Sequence, residues 1–209
     1  MFIKFGQLLS TRTDVVPLGI TSYLRGLTDQ CQSFPTHKAK QIIEDSLKIK
    51  IEDVFEDFED EPLAAASLAQ VHRARIKNTS EKVVVKVLRP GIHKKVRRNV
   101  RVMRAGGFLL KIFYKESERL RLKDVIDDYE RTIFKELDLK VEAANTTVTK
   151  KNFDNSDLLF IPKVFWDQTT VNVLTLEEID GIGCTDVDSM DELGICLLYT
   201  SDAADEVVS

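Results

Sequence analysis

Lys86 is the residue whose setting demands chemistry. It interrupts an apolar run, Val83-Val84-Val85-Lys86-Val87-Leu88. An ammonium in such a run must meet an acid or a polar ligand, because an unpaired buried cation is very costly. Upstream, Ala64, Ala65, Ala66 and Ser67 form a turn without bulky side chains. A lid of small residues ahead of a strand lysine suits a polyphosphate: backbone approaches closely and the cation neutralises charge. The elements that must position these groups are strands. Ala69, Val71, Arg73 and Arg75 alternate with Gln70, His72, Ala74 and Ile76, a period of two. Asn78-Thr79-Ser80 is turn chemistry before the lysine strand.

Three further segments extend the pattern. The chain opens with Lys4-Phe5-Gly6-Gln7, carries Glu136-Leu137-Asp138, and has LTLEEIDGI near its end. In this order, with AAAS and VVVK, they resemble the UbiB-like atypical kinase family of ubiquinone biosynthesis. That family has a KxGQ motif, an alanine-rich loop in place of a glycine-rich one, a strand lysine and an ExD motif. The resemblance spans roughly residues 2–195. It implies an α+β fold: a protein-kinase-like small lobe, an antiparallel sheet plus regulatory helix, preceded by a helical KxGQ extension. The expected organisation is an extension over 1–60, a small lobe and hinge over 61–181, and the start of a large lobe over 182–195.

The resemblance also implies roles. Lys86 would hold the α- and β-phosphates of ATP and be held by a helix carboxylate. Glu136 is the implied partner, with Glu130 in the same helix as a local alternative and a purely structural ion pair as the plain reading. Ala64, Ala65, Ala66 and Ser67 would form the lid. Alanine keeps glycine's small size but restricts φ, which implies altered nucleotide handling. The Ser67 hydroxyl either donates to a phosphate or caps the turn. Glu177 and Glu178 would lie in the linker whose backbone holds adenine. Lys4, Gly6 and Gln7 would fold over the site and exclude protein substrates, with Lys4 meeting Asp138 or Glu142.

Along the chain, residues 2–50 look helical, with a second helix starting at Pro35 and Thr36 as a possible cap. Residues 51–61 hold seven acids around Val54, Phe55 and Phe58, a solvated helix face before the first strand. Residues 92–112 form a helix carrying His93, Lys94, Lys95, Arg97, Arg98, Arg101 and Arg104. Its basic side is either a solvated face or a contact for anionic lipid headgroups. Residues 122–149 read as one long helix. Two strands follow, 158–164 and 171–176, around an Asp167-Gln168 turn.

Composition sets bounds. Apolar residues make up 43% and charged residues 31% of 209, ordinary for a globular chain. A net charge of −4 gives no general case for nucleic acid, and the basic helix lacks interleaved aromatics. Cys31, Cys184 and Cys196 are scattered without a CxxC, which fits a reducing compartment. With His37, His72 and His93 also far apart, no metal site is expected here. No apolar run reaches a membrane span, and the start is not a signal peptide.

Residues 196–206, CLLYTSDAADE, match the translation of a sequencing-library transposase adapter, so 196–209 is read as an adapter-derived tail. No D-x-H-x-x-N loop or DFG-like motif occurs, and Asp180-Gly181 falls in the hinge segment. The expectation is therefore a fragment without the large lobe and its Mg2+ ligands, itself inactive. The intact parent would be an ATP-binding kinase or ATPase of bacterial type, at the cytoplasmic face of the inner membrane. Quinone precursors, quinone-biosynthesis enzymes and an anionic membrane surface are the implied partners. A non-catalytic nucleotide-binding scaffold is the second reading and an ordinary protein kinase the third, disfavoured by KFGQ and AAAS.

Overall fold

A computed structural model describes residues 31–113, 121–154, 156, 159–182 and 186–193. Lys4, Gly6, Gln7, the helix expected ahead of residue 31 and the 196–209 tail lie outside them. The elements in chain order are α1 (Thr36–Leu47), α2 (Ile51–Val54), β1 (Phe55–Glu56), β2 (Ala64–Ala65), β3 (Ala69–Ile76), β4 (Lys82–Leu88), α3 (Ile92–Phe113), α4 (Leu122–Glu136), α5 (Leu139–Asn152), a 3-10 turn (Trp166–Gln168), β5 (Val173–Glu177) and α6 (Val187–Glu192). Two units result, residues 1–178 and 179–209. Within the second, α6 has its entry tied by Ser189, whose Oγ donates to Asp186 Oδ2 at 2.7 Å.

The first unit is an antiparallel sheet in the order β1-β3-β4-β5, with β2 also paired to β3. The β3–β4 hairpin turns through Asn78-Thr79-Ser80 as expected: Ser80 takes a positive φ of 54°, and its N–H donates to the Ile76 carbonyl at 2.7 Å. Alternation along β4 gives the sheet two different faces. Val83, Val85 and Val87 are fully buried against Ala39 and Ile43 of α1. Burial of each valine is worth roughly 1.5–3 kcal/mol. Leu88 and Leu174 look the other way, into a core built with Val96 and Val100 of α3, Ile126, Tyr129 and Ile133 of α4, and Leu139 and Ala143 of α5. Lys86 belongs to that second face.

Four local expectations are corrected. Residues 122–149 are two helices, not one. Leu137 and Leu139 are both buried, yet two positions on a continuous helix lie about 200° apart. Both reach the core only because the helix breaks: Asp138 adopts φ −112°, ψ 95° and its side chain accepts the Lys140 N–H. The Leu139 N–H leaves the helix pattern to bond the Val171 carbonyl at 3.0 Å. The strand expected over 158–164 is, among the described residues, a single bridge, Val164 to Leu176. Pro162 has no N–H to give a ladder. Residues 51–61 contribute one helical turn and then β1, paired with Ile76 and Arg75. Thr36 is not a cap; Pro35 holds that position and the Thr36 hydroxyl donates to the Asp60 carbonyl.

The α1 face fully buries the polar side chains of Gln70, His72 and Thr175; Thr175 Oγ1 donates to the Gln168 carbonyl at 2.9 Å. Gln70 Oε1 accepts the Phe34 N–H at 3.0 Å and Nε2 donates to the Phe34 carbonyl at 3.2 Å. That orients the amide, so its Nε2 donates to His72 Nε2 at 2.8 Å. His72 Nδ1 must then carry the proton, given to the Glu59 carbonyl at 2.9 Å. The ring stacks on Phe58, centroids 4.9 Å apart. Burial holds the His72 pKa below its ordinary 6.5, although the Glu59 carbonyl and Asp60 oppose it; Lys40 adds to the lowering.

A neutral buried imidazole makes stability depend on pH with a definite sign. The folded pKa lies below the unfolded one, so the contribution is complete above about pH 6.5 and is lost as pH falls through the folded value. Chemical denaturation between pH 7.5 and 5 is expected to show a steeper loss for the wild type than for His72→Gln. Equal slopes would show that His72 does not titrate in this way.

Candidate functional site

The lysine face of the sheet forms the site. Register aligns Ala64, Val71, Lys86 and Leu174 in one row across four strands. The next row is Arg73, Val84 and Leu176. Val71, Val84, Lys86 and Leu176 are only half-buried. The result is an open apolar floor with Lys86 on it and Arg73 at its margin. Such a floor accepts a flat ring, and the cation accepts phosphate oxygens.

Lys86 is paired, as its setting requires. Its Nζ donates to both oxygens of Glu142, at 2.7 and 2.8 Å. This corrects the expected Lys86–Glu136 pair and the Glu130 alternative. The cause is the helix break. With Leu139 and Ala143 turned into the core, Glu142 on the same turn is delivered to the sheet. Glu136 ends the preceding helix, where its charge bears on Tyr129. Burial, and then that charge, raise the Tyr129 hydroxyl to about 12. Glu130 is engaged instead by Arg104, which also binds Asp127. Both acids of the other expected pair are likewise placed: Glu142 takes Lys86, and Asp138 caps α5.

The lid is a hairpin rather than a plain turn. Ala64 and Ala65 are strand β2, and the Ala66 N–H bonds the Ala69 carbonyl at 2.9 Å across the tip. Ser67 Oγ is buried with no hydrogen-bond partner among the described residues, so it does not cap the turn. Glu177 and Glu178 belong to the sheet: their N–H groups donate to the carbonyls of Lys163 and Lys82 at 2.9 and 3.1 Å. The Glu178 carboxylate accepts from Arg73 Nε at 2.7 Å. A cavity of about 730 Å³ adjoins Glu142, lined by Thr132, Glu136, Asn145, Thr149, Phe160 and Pro162 among others.

Sequence reasoning missed Glu142 as the lysine's partner and missed Arg89 and Gln70 entirely. The spacing of Leu139 and Ala143, with Asp138 as a capping residue ahead of them, was the available signal for Glu142. Among the described residues no group of three His, Cys, Asp or Glu side chains could hold a metal ion.

A family model described as the ABC1 atypical kinase-like domain matches residues 26–203. The chain belongs to the ABC1 atypical kinase-like family. Relatives named "Probable protein kinase UbiB" are similar to it: one from Marinobacter nauticus at 42% identity over 99% of this chain, and one from Pseudomonas aeruginosa at 45% over 91%. The chain spans 38% and 36% of their respective lengths. The structure of Rv3197 from Mycobacterium tuberculosis, solved in complex with erythromycin, is similar at 28% identity and a TM-score of 0.62. That likeness covers 85% of this chain and 44% of the other. The ABC1 assignment agrees with the mixed fold: a kinase-like antiparallel sheet with helices, its lysine held by a helix carboxylate.

The Lys86–Glu142 pair is part-exposed, 32% and 41%. Solvent screening therefore limits it to at most about 1 kcal/mol of stability. A double-mutant cycle on thermal unfolding with Lys86→Met and Glu142→Gln should return a coupling of that size or less. The same cycle with Glu136→Gln should return none. Coupling to Glu136 instead would overturn the assignment.

Proposed function

We propose that this chain supplies the nucleotide-gripping part of an ATP-binding atypical kinase or ATPase that supports ubiquinone, or another isoprenoid quinone, biosynthesis. One observation carries the reading. The Lys86 ammonium, oriented by a helix carboxylate, stands on an open apolar floor beside a hairpin of small residues. The family membership and the names of the relatives favour this reading over a structural ion pair.

In this reading ATP lays its base on Val71, Val84 and Leu176, and Lys86 turns to the α- and β-phosphates. Glu142 keeps the ammonium aimed. The bound nucleotide supplies the transferable phosphoryl group. Mg2+ would accompany it, yet the described residues offer no cluster of ligands for the ion, so no step is assigned to it here.

The same reading places the protein at the cytoplasmic face of a bacterial inner membrane, with quinone precursors and quinone-biosynthesis enzymes as partners. Helix α3 supports a lipid contact. Lys94, Lys95, Arg98 and Arg101 are exposed, and Phe108, Leu110, Ile112 and Phe113 are exposed at its far end, Phe113 by 80%. Basic residues beside exposed apolar ones suit an anionic bilayer surface. No helix among the described residues is long and apolar enough to cross a membrane.

Binding of a fluorescent ADP analogue is the test. Lys86→Met should weaken it about tenfold or more, roughly 1.4 kcal/mol. Glu142→Gln should weaken it less, and Glu136→Gln should leave it unchanged. Unchanged affinity in Lys86→Met would remove the reading and leave a structural ion pair.

A further inference from the structure

Arg89 lies three residues beyond Lys86 and ties two separate pieces of chain together. Its Nε donates to the Ala66 carbonyl at 2.8 Å, and its Nη2 donates to the Gln32 carbonyl at 2.9 Å. Its own N–H donates to the Leu68 carbonyl at 2.8 Å. The guanidinium also lies 5.6 Å from the centre of the Phe34 ring. Alongside, the Cys31 N–H donates to the Ala65 carbonyl at 3.0 Å. Gln70, the cross-strand partner of Val87, grips both backbone groups of Phe34. Residues 31–34 are thus fastened to the alanine hairpin and the sheet from three sides.

The hairpin tip is held against a cost. Ser67 Oγ is buried with no hydrogen-bond partner among the described residues, which disfavours this placement of the hydroxyl. Charge-assisted bonds from one planar guanidinium to carbonyls on both pieces offset it. Ser67 directly follows Ala65 and Ala66, so a phosphate bound at its hydroxyl would lie beside their carbonyls along the chain. Those two carbonyls are the ones that Cys31 and Arg89 hold.

We propose that Arg89 is a positioning residue that makes the placement of the alanine hairpin and of residues 31–34 one equilibrium. Phosphate engagement at the hairpin then loosens the segment at Cys31, and whatever displaces that segment alters the hairpin, as linkage requires. The nucleotide half of this proposal rests on the reading under Proposed function; the mechanical half does not.

The test compares wild type, Arg89→Lys and Ser67→Ala. Arg89→Lys keeps the charge but loses the fork that spans two carbonyls. Ser67→Ala removes the unpartnered hydroxyl and so favours the closed hairpin. Without nucleotide, alkylation of Cys31 by iodoacetamide is read by peptide mass spectrometry, and amide exchange is followed over residues 62–68. Arg89→Lys should raise both together by about fivefold, close to 1 kcal/mol of opening, while β4 amides keep their protection. A rise in one without the other, or in neither, overturns the latch. A rise that includes the β4 amides means general unfolding; the comparison then passes to Ser67→Ala, which should slow both signals, and unchanged signals there overturn the latch too.

With ADP added at a concentration that saturates the fluorescent-analogue assay, the Cys31 rate should rise at least about twofold in wild type and not in Ser67→Ala. Binding without any change at Cys31 overturns the coupling. Absence of binding counts against the nucleotide reading alone, because the nucleotide-free measurements still decide the latch.

Discussion

An ammonium group on the face of an apolar sheet needs a carboxylate within reach, and much of this fold follows from delivering one. Lys86 shares its strand with Val83, Val85 and Val87, which make one face of the sheet a dry core. Its own face must therefore combine a second apolar core with one acid. Helices α4 and α5 meet both demands by breaking at Asp138. The break lets Leu137 and Leu139 enter the core together and brings Glu142 over the strand. An unbroken helix would satisfy at most one of these leucines and would carry the acids past the lysine. The two oxygens of Glu142 then hold the ammonium half-exposed, oriented without being sealed in.

That geometry divides labour across the sheet. The α1 face is closed, and among its buried polar side chains Gln70 and His72 satisfy each other and bond the backbone of Phe34 and Glu59. The lysine face is left partly open at Val71, Val84 and Leu176. Rigidity behind and access in front are what positioning a flexible polyphosphate demands. Arg89 joins the two faces at the edge where the small-residue hairpin sits. The alanines suit this arrangement: small enough for close approach, yet restricted in φ, so the hairpin has fewer alternatives once its carbonyls are held.

How much was legible in the sequence follows the range of the forces involved. The β3–β4 hairpin, its Asn78-Thr79-Ser80 turn and helix α3 were readable because period and turn chemistry are local signals. The lysine's need for a partner was readable from its neighbours alone. Which acid answers it was far less so: Glu130, Glu136 and Glu142 stand in one apparently continuous helical run, and Asp138, whose side chain caps the second helix, was the one local sign of where that run stops. The strand expected after residue 158 failed at Pro162, a local signal that was available and outweighed by β-branched neighbours. Arg89 and Gln70 passed unread because their partners are backbone carbonyls and amides of residues 32, 34 and 66, and backbone partners leave no mark in residue types. The exposed apolar end of α3 was likewise invisible to a pattern that assumes apolar means buried.

An acyl-phosphate derivative of ATP tests the central claim most directly. Such a reagent transfers its acyl group to whichever lysine amine lies against the bound phosphates, and mass spectrometry locates the product. The account predicts acylation at Lys86, suppressed by excess unmodified ATP and strengthened relative to other lysines in Glu142→Gln, where the ammonium is released from its carboxylate. Acylation spread over the exposed lysines of α3, indifferent to competing ATP, would contradict it.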